Sequence, residues 1–352
     1  MNVNELDTPC VVIDSAIMNS NISRFQNYCT AIGVQFRPHI KTHKIPELAL
    51  LQINAGAIGI NCQKLTEAEV FADAGIKDIL ITFNILGPTK LSRLVELSKR
   101  CRLTVVADNI ETVKQLSDTF ELAGLSVRVL VECDTGGNRC GVQTPRDALD
   151  LALQINDSPG VEFSGLLTYP APTKTQEANR WLLQAKELCT SVGLSVETIS
   201  SGGSPNMYNA NEFTVATEYR AGTYIYNDRS LVSQGSCKYS DCALTVVATV
   251  VSHPTNDRIV IDAGSKSLSS DLLGMEGYGY VVEYPEAKVY SLSEEHGCID
   301  FSGCKLRPKI GDKLNIIPNH ACVVSNLFDF VYLKLDGQVQ KSLKVAARGK
   351  VL

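Results

Sequence analysis

A cluster of basic side chains lies near the N-terminus, in the segment VQFRPHIKTHK at residues 34–44. Five basic residues fall within eight positions: Arg37, His39, Lys41, His43 and Lys44. The segment otherwise has the pattern of a β-strand end. A lysine amine becomes nucleophilic when its pKa falls, and neighbouring cations such as Arg37 and His39 lower that pKa. The cluster therefore predicts a reactive Lys41, although a lone lysine after a strand is more often a solvated charge.

Two loops rich in glycine and small polar residues are candidates for binding a phosphate. They are SSGGS at residues 200–204 and AGT at residues 221–223. Backbone N–H groups and hydroxyls in such loops bind phosphate oxygens, and paired phosphate loops after the last two strands recur in (β/α)8 barrels. Alone, SSGGS is also compatible with a simple turn. Together with Lys41, the two loops predict pyridoxal 5′-phosphate (PLP) held as a Schiff base.

Polar residues at other strand ends extend this candidate site. In chain order they are Gln63, Asp134, Arg139, Tyr169 and Arg220. The phenolic oxygen of PLP needs a cationic or hydrogen-bond-donating partner, for which Arg139 is placed. Arg220 is the candidate partner of the pyridine nitrogen. Because the chemistry of a barrel collects at the C-terminal ends of its strands, these residues are expected at one rim.

A second candidate centre lies near the C-terminus, in PNHAC. His320 and Cys322 are two residues apart, so on a strand their side chains would point to the same face. Imidazole and thiolate together suit zinc. A buried histidine beside a structural cysteine is the alternative. Two ligands leave the coordination incomplete, so a metal here would have open positions, as in a catalytic site.

The sequence that must position these residues has two parts. Up to about residue 230, short apolar runs alternate with segments of helical spacing. The strand candidates are VQFRPHIK, AIGIN, DILIT, RLTVVAD, VRVLVECD, FSGLLTY, VETISSGG and ATEYRAG. Helices are predicted at KLTEAEVFADAG, TKLSRLVELSKR and TPRDALDLALQIND, with a threonine cap or a proline near the first turn of LTEAE and TPRDA. Eight alternations predict an α/β fold with a parallel (β/α)8 TIM-type barrel over residues 19–234.

The remaining residues, 1–18 and 235–352, predict a mostly β domain that carries the HxC pair. After residue 235 the sequence contains strand-like runs separated by turn residues, with no convincing helices between them. The early segment TPCVVID is a further strand compatible with either part, and we assign it to the β domain.

The composition excludes several classes of protein. The 352 residues have a formal net charge of −5, which argues against nucleic-acid binding. No apolar run approaches the roughly 18 residues of a membrane span, and the N-terminus lacks the features of a signal peptide. The twelve cysteines form no CxxC pair, which favours free thiols in a reducing compartment over a disulfide framework. We therefore expect a cytoplasmic protein with no nucleic-acid or membrane partner.

Motifs spread over nearly the whole chain match a known family. In order they are LDTPCVVID, RPHIKTHK, CQKLTEAEV, DTGGNRCGV, EYRAGTYIYND, IDAGSKSLSSD, SEEHG and PNHAC. The combination of RPHxK with a late HxC or HxD is the specific part. By these motifs the chain resembles the D-threonine aldolase and D-serine dehydratase family, PLP enzymes of the alanine racemase-like fold, also called fold type III.

The resemblance implies roles for individual residues. It makes Lys41 the Schiff-base and catalytic lysine, and His320 and Cys322 the ligands of a divalent metal, zinc or manganese. The full set of predicted cofactor residues, from the residues themselves and from the resemblance, is Lys41, Gln63, Arg139, Tyr169, Ser201, Gly202, Gly203, Ser204, Arg220, Gly222 and Thr223. The resemblance also implies a homodimer.

The implied substrates are D-amino acids with a hydroxyl on Cβ, where a metal can act as a Lewis acid. Dehydration yields a 2-oxo acid and ammonia, with Lys41 as base, whereas retro-aldol cleavage yields glycine and an aldehyde. HxC is typical of the dehydratases and slightly favours dehydration of D-serine or 3-hydroxy-D-aspartate. CQKLTEAEV is closer to the aldolases, and PAP after Tyr169 departs from the polar stretch of several relatives. A metal-independent racemase and a non-enzymatic PLP-binding protein are the remaining alternatives.

Overall fold

The computed structural model of the chain describes residues 2–352. Within them the chain forms seventeen strands and ten α-helices. The strands are β1 (Cys10–Asp14), β2 (Gln35–Phe36), β3 (Ile60–Cys62), β4 (Asp78–Ile81), β5 (Arg102–Ala107), β6 (Val127–Cys133), β7 (Val161–Thr168), β8 (Thr198–Ser201), β9 (Glu218–Tyr219), β10 (Leu244–Ser252), β11 (Arg258–Ile261), β12 (Tyr280–Val281), β13 (Lys288–Leu292), β14 (Gly297–Asp300), β15 (Lys313–Ile317), β16 (Phe330–Leu335) and β17 (Gln338–Lys344). The helices are α1 (Ser15–Ala31), α2 (Pro46–Asn54), α3 (Leu65–Asp73), α4 (Pro88–Ser98), α5 (Ile110–Leu122), α6 (Pro145–Asn156), α7 (Thr175–Ser191), α8 (Arg229–Ser233), α9 (Ser265–Leu268) and α10 (Ala321–Leu327).

The chain divides into two compact units. The sheet unit comprises the residues through Arg24, Thr42–Ile45 and Thr223–Gly349. The barrel unit comprises Phe25–Lys41, Pro46–Gly222 and Lys350–Leu352.

The barrel unit is a closed parallel sheet of eight strands. Their order is β2-β9-β8-β7-β6-β5-β4-β3. The two edges meet where His39 and Asn61 form a parallel bridge, and the Asn61 N–H donates to the Pro38 carbonyl at 2.8 Å. Each strand overlaps one of the eight runs expected from the sequence. The predicted (β/α)8 barrel of alanine racemase type is confirmed.

Apolar side chains fill the barrel interior. Leu80, Val106, Leu130 and Leu167 form one buried cluster, with one residue from each of β4, β5, β6 and β7. Burial of each such side chain stabilises the fold by roughly 1.5–3 kcal/mol relative to exposure in water. Residues on the other face of these strands are buried under the helices, which is why the strands read as continuous apolar runs.

The N-termini of helices α6 and α3 test the helix-start signals that were read from the sequence. Thr144 caps α6 by accepting the Asp147 N–H, and the Asp147 carboxylate accepts the Thr144 N–H in return. The threonine cap predicted in LTEAE is wrong, because the residue at the N-cap of α3 is Lys64, with no side-chain cap. There the Glu67 carboxylate, inside the first turn, accepts the Gln63 N–H at 2.7 Å.

The sheet unit contains a nine-stranded sheet of order β11-β14-β13-β12-β15-β10-β1-β16-β17. Strand β1 from the N-terminus pairs antiparallel with β10 and parallel with β16, so TPCVVID is part of this sheet. The region after residue 235 is mostly β as expected, but it also contains the short helices α9 and α10. Within residues 2–352, no helix has the length and apolar character needed to cross a bilayer.

Candidate active site

Lys41 lies just beyond the C-terminal end of β2. The strand is shorter than VQFRPHIK suggests: it ends at Phe36, and Lys41 lies in a short 3-10 turn, Ile40–Thr42. Pro38 has no N–H to donate, but pairing continues past it, because the His39 N–H donates to the Ala221 carbonyl at 2.9 Å. The Lys41 side chain is exposed, and its backbone N–H donates to His39 Nδ1 at 3.4 Å. The amine is therefore presented at the barrel rim, where the sequence analysis expected it.

His39 and Gln63 form a polar pair at the same rim. Gln63 Nε2 donates to the Thr82 carbonyl at 2.8 Å, so Gln63 Oε1 is the acceptor of the 3.1 Å contact with His39 Nε2. His39 therefore orients the Gln63 amide at the rim.

Arg37 lies in ion pairs inside the barrel. Its guanidinium contacts Glu218 at 2.7 Å and Asp78 at 2.6 Å, and all three side chains are largely buried. Two carboxylates balance its charge. That Arg37 lowers the Lys41 pKa stays a prediction, and the two carboxylate partners of Arg37 come from strands that the local pattern does not reveal.

Arg220 is held by a second buried network. Its Nε donates to Ser200 Oγ at 2.9 Å, and Ser200 donates to Glu218 at 2.5 Å. Other guanidinium N–H groups donate to the Thr168 carbonyl and to Asn61 Oδ1. Burial lowers the Arg220 pKa to about 10, which leaves the side chain charged at neutral pH. The guanidinium is thus fixed in one orientation at the rim.

The two predicted phosphate loops are joined by a hydrogen bond. Ser204 Oγ, from the first loop, accepts the Gly222 N–H of the second at 3.1 Å. Gly202 has a φ of +108°, and a Cβ there would lie 2.5 Å from the Tyr219 ring, so only glycine fits. Ser201 Oγ is buried and has no hydrogen-bond partner among the described residues. An oxygen of a bound phosphate would supply the hydrogen-bond partner that the Ser201 hydroxyl lacks.

Arg139 and Tyr169 come together beside the first loop. The Arg139 guanidinium lies 5.0 Å from the centroid of the Tyr169 ring, and a Cβ on Gly203 would lie 2.8 Å from the same ring. Glu132, buried at the end of β6, faces Arg139 and Arg220. Burial raises the Glu132 pKa, and the two guanidinium groups oppose that rise.

His320 and Cys322 form the second centre, within the sheet unit. The strand expected at these two residues is absent: His320 is the N-cap of α10, and Cys322 lies in its first turn. The two side chains are nevertheless hydrogen-bonded to each other, and His320 Nδ1 contacts Asp271 Oδ2 at 2.8 Å. Burial opposes protonation of His320, but the bonds to Cys322 and Asp271 raise its pKa to about 9.

Two threonine hydroxyls contact the Cys322 sulfur. Thr42 Oγ1 lies 3.1 Å from Sγ, and Thr223 Oγ1 lies 3.4 Å from it. Burial acts to raise the Cys322 pKa, but the hydrogen bonds from His320 and the two threonines lower it. In the chain, Thr42 directly follows Lys41 and Thr223 directly follows Gly222.

The donor chemistry of this centre fits a metal such as zinc. It offers an imidazole nitrogen and a sulfur that favours the thiolate form, and a carboxylate orients the imidazole from behind, as is usual for metal-binding histidines. Among residues 2–352, no three His, Cys, Asp or Glu side chains lie close enough together to hold a metal ion. A metal bound by His320 and Cys322 would therefore keep open positions.

Comparison with known proteins identifies the family. Residues 13–230 match the family "Alanine racemase, N-terminal domain", and residues 243–334 match "Putative serine dehydratase domain". A D-threonine aldolase of Arthrobacter sp is 34% identical over 98% of this chain and 93% of its own length. The chain belongs to the D-threonine aldolase and D-serine dehydratase family.

Other members of the D-threonine aldolase and D-serine dehydratase family match over almost their full length. The D-threo-3-hydroxyaspartate dehydratase of Delftia sp. (strain HT23) is 33% identical over 95% of this chain and 96% of its own. The crystal structure of D-threonine aldolase from Filomicrobium marinum covers 100% of this chain, and this chain covers 98% of it, with a TM-score of 0.93 and 30% identity. A D-threo-3-hydroxyaspartate dehydratase has also been solved as a cysteine-to-alanine variant in a metal-free form, with a TM-score of 0.89, 30% identity and coverage of 98% and 99%.

The members of this family are PLP-dependent lyases, so the predictions of an enzyme and of its lyase class are confirmed. PLP and a divalent metal, the predicted cofactors, are those of the family.

Sequence reasoning missed four residues of the two centres. Glu218 and Ser200 hold Arg220, Asp271 contacts His320, and Thr42 contacts Cys322. Asp271 ends the quoted motif IDAGSKSLSSD, which was the one available signal for it. The other three also lie in quoted motifs, SSGGS, EYRAGTYIYND and RPHIKTHK, but nothing in those motifs indicates which side chain each one contacts.

Proposed function

We propose that this protein is a PLP- and metal-dependent lyase that dehydrates a D-3-hydroxy amino acid to a 2-oxo acid and ammonia. The observation that carries the choice of dehydration is the second centre, where Cys322 stands at the position that an aspartate would take in an HxD motif. When bound, PLP supplies an electron sink for bond cleavage at Cα, and the metal supplies a Lewis acid for the β-hydroxyl.

The residues of the barrel rim have distinct tasks in this proposal. Lys41 would hold the cofactor through its Nζ, and the same amine would serve as the base that takes the proton from Cα. The loops around Ser201 and Gly222 bind the phosphate through hydroxyl and N–H groups. Arg139 donates to the phenolic oxygen, and Arg220 donates to the pyridine nitrogen. Gln63 and Tyr169 border the ring.

The residues of the sheet unit hold the metal in this proposal. His320 binds it through the nitrogen that does not contact Asp271, and Cys322 binds it as the thiolate. The threonine hydroxyls of Thr42 and Thr223 donate to the sulfur and so favour the thiolate. Positions not filled by protein are open for a water molecule or for the substrate hydroxyl.

Retro-aldol cleavage to glycine and an aldehyde is the second candidate. Two specific observations favour it: the 34% identity to the Arthrobacter D-threonine aldolase and the motif CQKLTEAEV. In that reaction a base removes the proton of the β-hydroxyl, not the Cα proton.

Product analysis tests the proposal. The holoenzyme is incubated with D-serine, D-threonine or 3-hydroxy-D-aspartate, and 2-oxo acid plus ammonia is measured against glycine plus aldehyde. We expect a 2-oxo acid. Glycine plus aldehyde would establish the aldolase instead, and racemisation without a lyase product would overturn both.

Removal of the metal tests the second centre. Chelation, or the substitution Cys322→Ala, should abolish lyase turnover and leave the absorption of bound PLP in place. Cys298→Ala, on strand β14, is the matched control and should keep full turnover. Full lyase turnover after chelation would contradict the metal-dependent reaction.

The proposal also includes a cytoplasmic homodimer. Support for a reducing compartment comes from the twelve cysteines, none of which is in a disulfide bond within residues 2–352. Support for the dimer comes from the family resemblance alone.

A further inference from the structure

A pocket opens at the barrel rim, at the ends of β6 and β7. It has a volume of about 560 Å³ including its mouth. One side is lined by Glu132, Asp134 and Arg139, and the other by Tyr169 and the segment 170–172, which reads Pro-Ala-Pro.

This pocket borders the predicted cofactor residues. Arg139 and Tyr169 belong to both sets, and Gly203 of the first phosphate loop packs against the Tyr169 ring. An amino acid held at the cofactor would therefore have this pocket as its neighbour within the barrel unit. None of the predicted roles uses the Pro-Ala-Pro segment.

Positive charge within the lining of the pocket is balanced, and the next cation, Lys174, lies outside the lining with its solvent-exposed side chain against Gly136. Arg139 is the one cation among the described residues that line the pocket. The carboxyl of Glu132 faces it, and the guanidinium also lies over the Tyr169 ring. Asp134 adds a second carboxylate, which accepts the Gly136 N–H at 2.9 Å and the Asn138 N–H at 3.0 Å.

The opposite wall is apolar and preorganised. Pro170 and Pro172 have fixed φ angles, and neither has an N–H to donate. The Pro172 carbonyl accepts a hydrogen bond from Asn206, and the Ala171 carbonyl accepts the Lys174 N–H at 3.0 Å. The segment thus presents carbon atoms to the pocket and offers no side-chain donor or cation to a ligand.

We infer that this pocket receives the substituent on Cβ of the substrate and selects a neutral, apolar group, such as the methyl group of D-threonine or an aryl ring, over a carboxylate. The inference rests on the proposed function, since it assumes an amino acid bound at PLP. A β-carboxylate in this pocket would lose part of its hydration and lie near the carboxylates of Glu132 and Asp134. The charge of Arg139, the one cation of the lining, is already balanced, so binding of the carboxylate is unfavourable. A methyl or aryl group would instead bury apolar surface against Pro170 and Ala171.

Binding to the holoenzyme tests the inference without requiring turnover. The absorption of bound PLP is followed during titration with D-threonine, D-phenylserine and 3-hydroxy-D-aspartate. We expect D-threonine and D-phenylserine to bind at least about tenfold more tightly than 3-hydroxy-D-aspartate. Equal or tighter binding of 3-hydroxy-D-aspartate overturns the inference and leaves the proposed function standing. If none of the three changes the absorption, the proposed function fails, and the inference fails with it.

A charge placed on the apolar wall tests the position of the pocket. Ala171→Lys should improve the binding of 3-hydroxy-D-aspartate relative to D-threonine by about tenfold. Ala123→Lys, at the exposed end of α5, is the matched control and should leave the ratio unchanged. Pro172→Lys adds the same charge at an exposed neighbouring position, should Ala171→Lys not fold. An unchanged ratio in a folded variant of either kind overturns the assignment of this pocket.

Discussion

Two adjacent serines, Ser200 and Ser201, have different roles: one stabilises the fold, and the other is available to bind a ligand. The Ser200 hydroxyl lies between Glu218 and Arg220 and is bonded to both. The Ser201 hydroxyl is buried with no partner in the described chain. A buried unpaired hydroxyl costs about 1–3 kcal/mol. The natural interpretation is that a bound phosphate satisfies Ser201, whereas Ser200 serves the protein itself.

Alanine substitution should separate these two roles. Ser201→Ala should leave the free energy of unfolding of the cofactor-free protein unchanged or slightly higher, and weaken PLP binding by roughly tenfold. Ser200→Ala should lower the free energy of unfolding by about 1–3 kcal/mol, because Glu218 and Arg220 lose a buried partner. Denaturant unfolding and PLP titration measure the two quantities. Equal loss of stability in both variants would contradict the assignment of Ser201 to a ligand.

Because Glu132 lines the pocket and its pKa is raised, we expect the choice of substrate to depend on pH. Burial raises its pKa above the ordinary 4.5, while Arg139 and Arg220 act to lower it and Asp108 and Asp134 to raise it. A carboxyl with a raised pKa becomes neutral at a higher pH than usual, so acidification removes a negative charge from the pocket and leaves Arg139 less balanced.

The preference for D-threonine over 3-hydroxy-D-aspartate should therefore shrink as the pH falls from neutrality toward about 5, a range in which the substrate carboxylates stay ionised. Glu132→Gln mimics the neutral form and should remove this pH dependence. Binding titrations at each pH measure it. A preference that grows on acidification would contradict this account.

Among the local elements, the first phosphate loop depends on Gly202. Gly202→Ala should cost about 1–3 kcal/mol for its positive φ and more for the overlap with the Tyr219 ring, and it should weaken PLP binding. Gly193→Ala is the matched control, since Gly193 also has a positive φ but has open space where the added Cβ would lie. Unfolding and PLP titration distinguish the variants. Equal effects of the two substitutions would mean that the contact with Tyr219 is unimportant.

Local elements were predictable where their signals are local. The helix start at Thr144 and Pro145 and the eight apolar runs of the barrel depend on neighbouring residues, and both were predicted. The turn at Lys41 and the helix at Cys322 were mistaken for strands, because short segments of mixed character have no clear periodicity. The start of α3 was misplaced because Thr66 lies within its first turn.

For the molecule as a whole, fold and chemistry were more predictable than partnerships between distant residues. The cationic cluster, the two loops and HxC were each visible in the sequence. The pairing of Arg37 with Glu218 joins residues 181 positions apart, and no spacing rule predicts it. For the same reason, the two carboxylates that balance the charge of Arg37 could not be foreseen from the sequence around Lys41.

The proposed homodimer has a direct test. Sedimentation equilibrium of the holoenzyme should give a mass of twice 38.3 kDa. A single species at the monomer mass, over the concentrations used for activity, would contradict the dimer and leave the assignment of Lys41 untouched.

The central claim is that Lys41 holds PLP. Borohydride reduction of the holoenzyme fixes the cofactor to the amine that binds it, and mass spectrometry of the digested protein then identifies the modified residue. We expect the pyridoxyl group on Lys41, and none in Lys41→Ala, with Lys99→Ala as the control that keeps the label. A pyridoxyl group on any other lysine, or an unlabelled wild-type protein, would contradict the account.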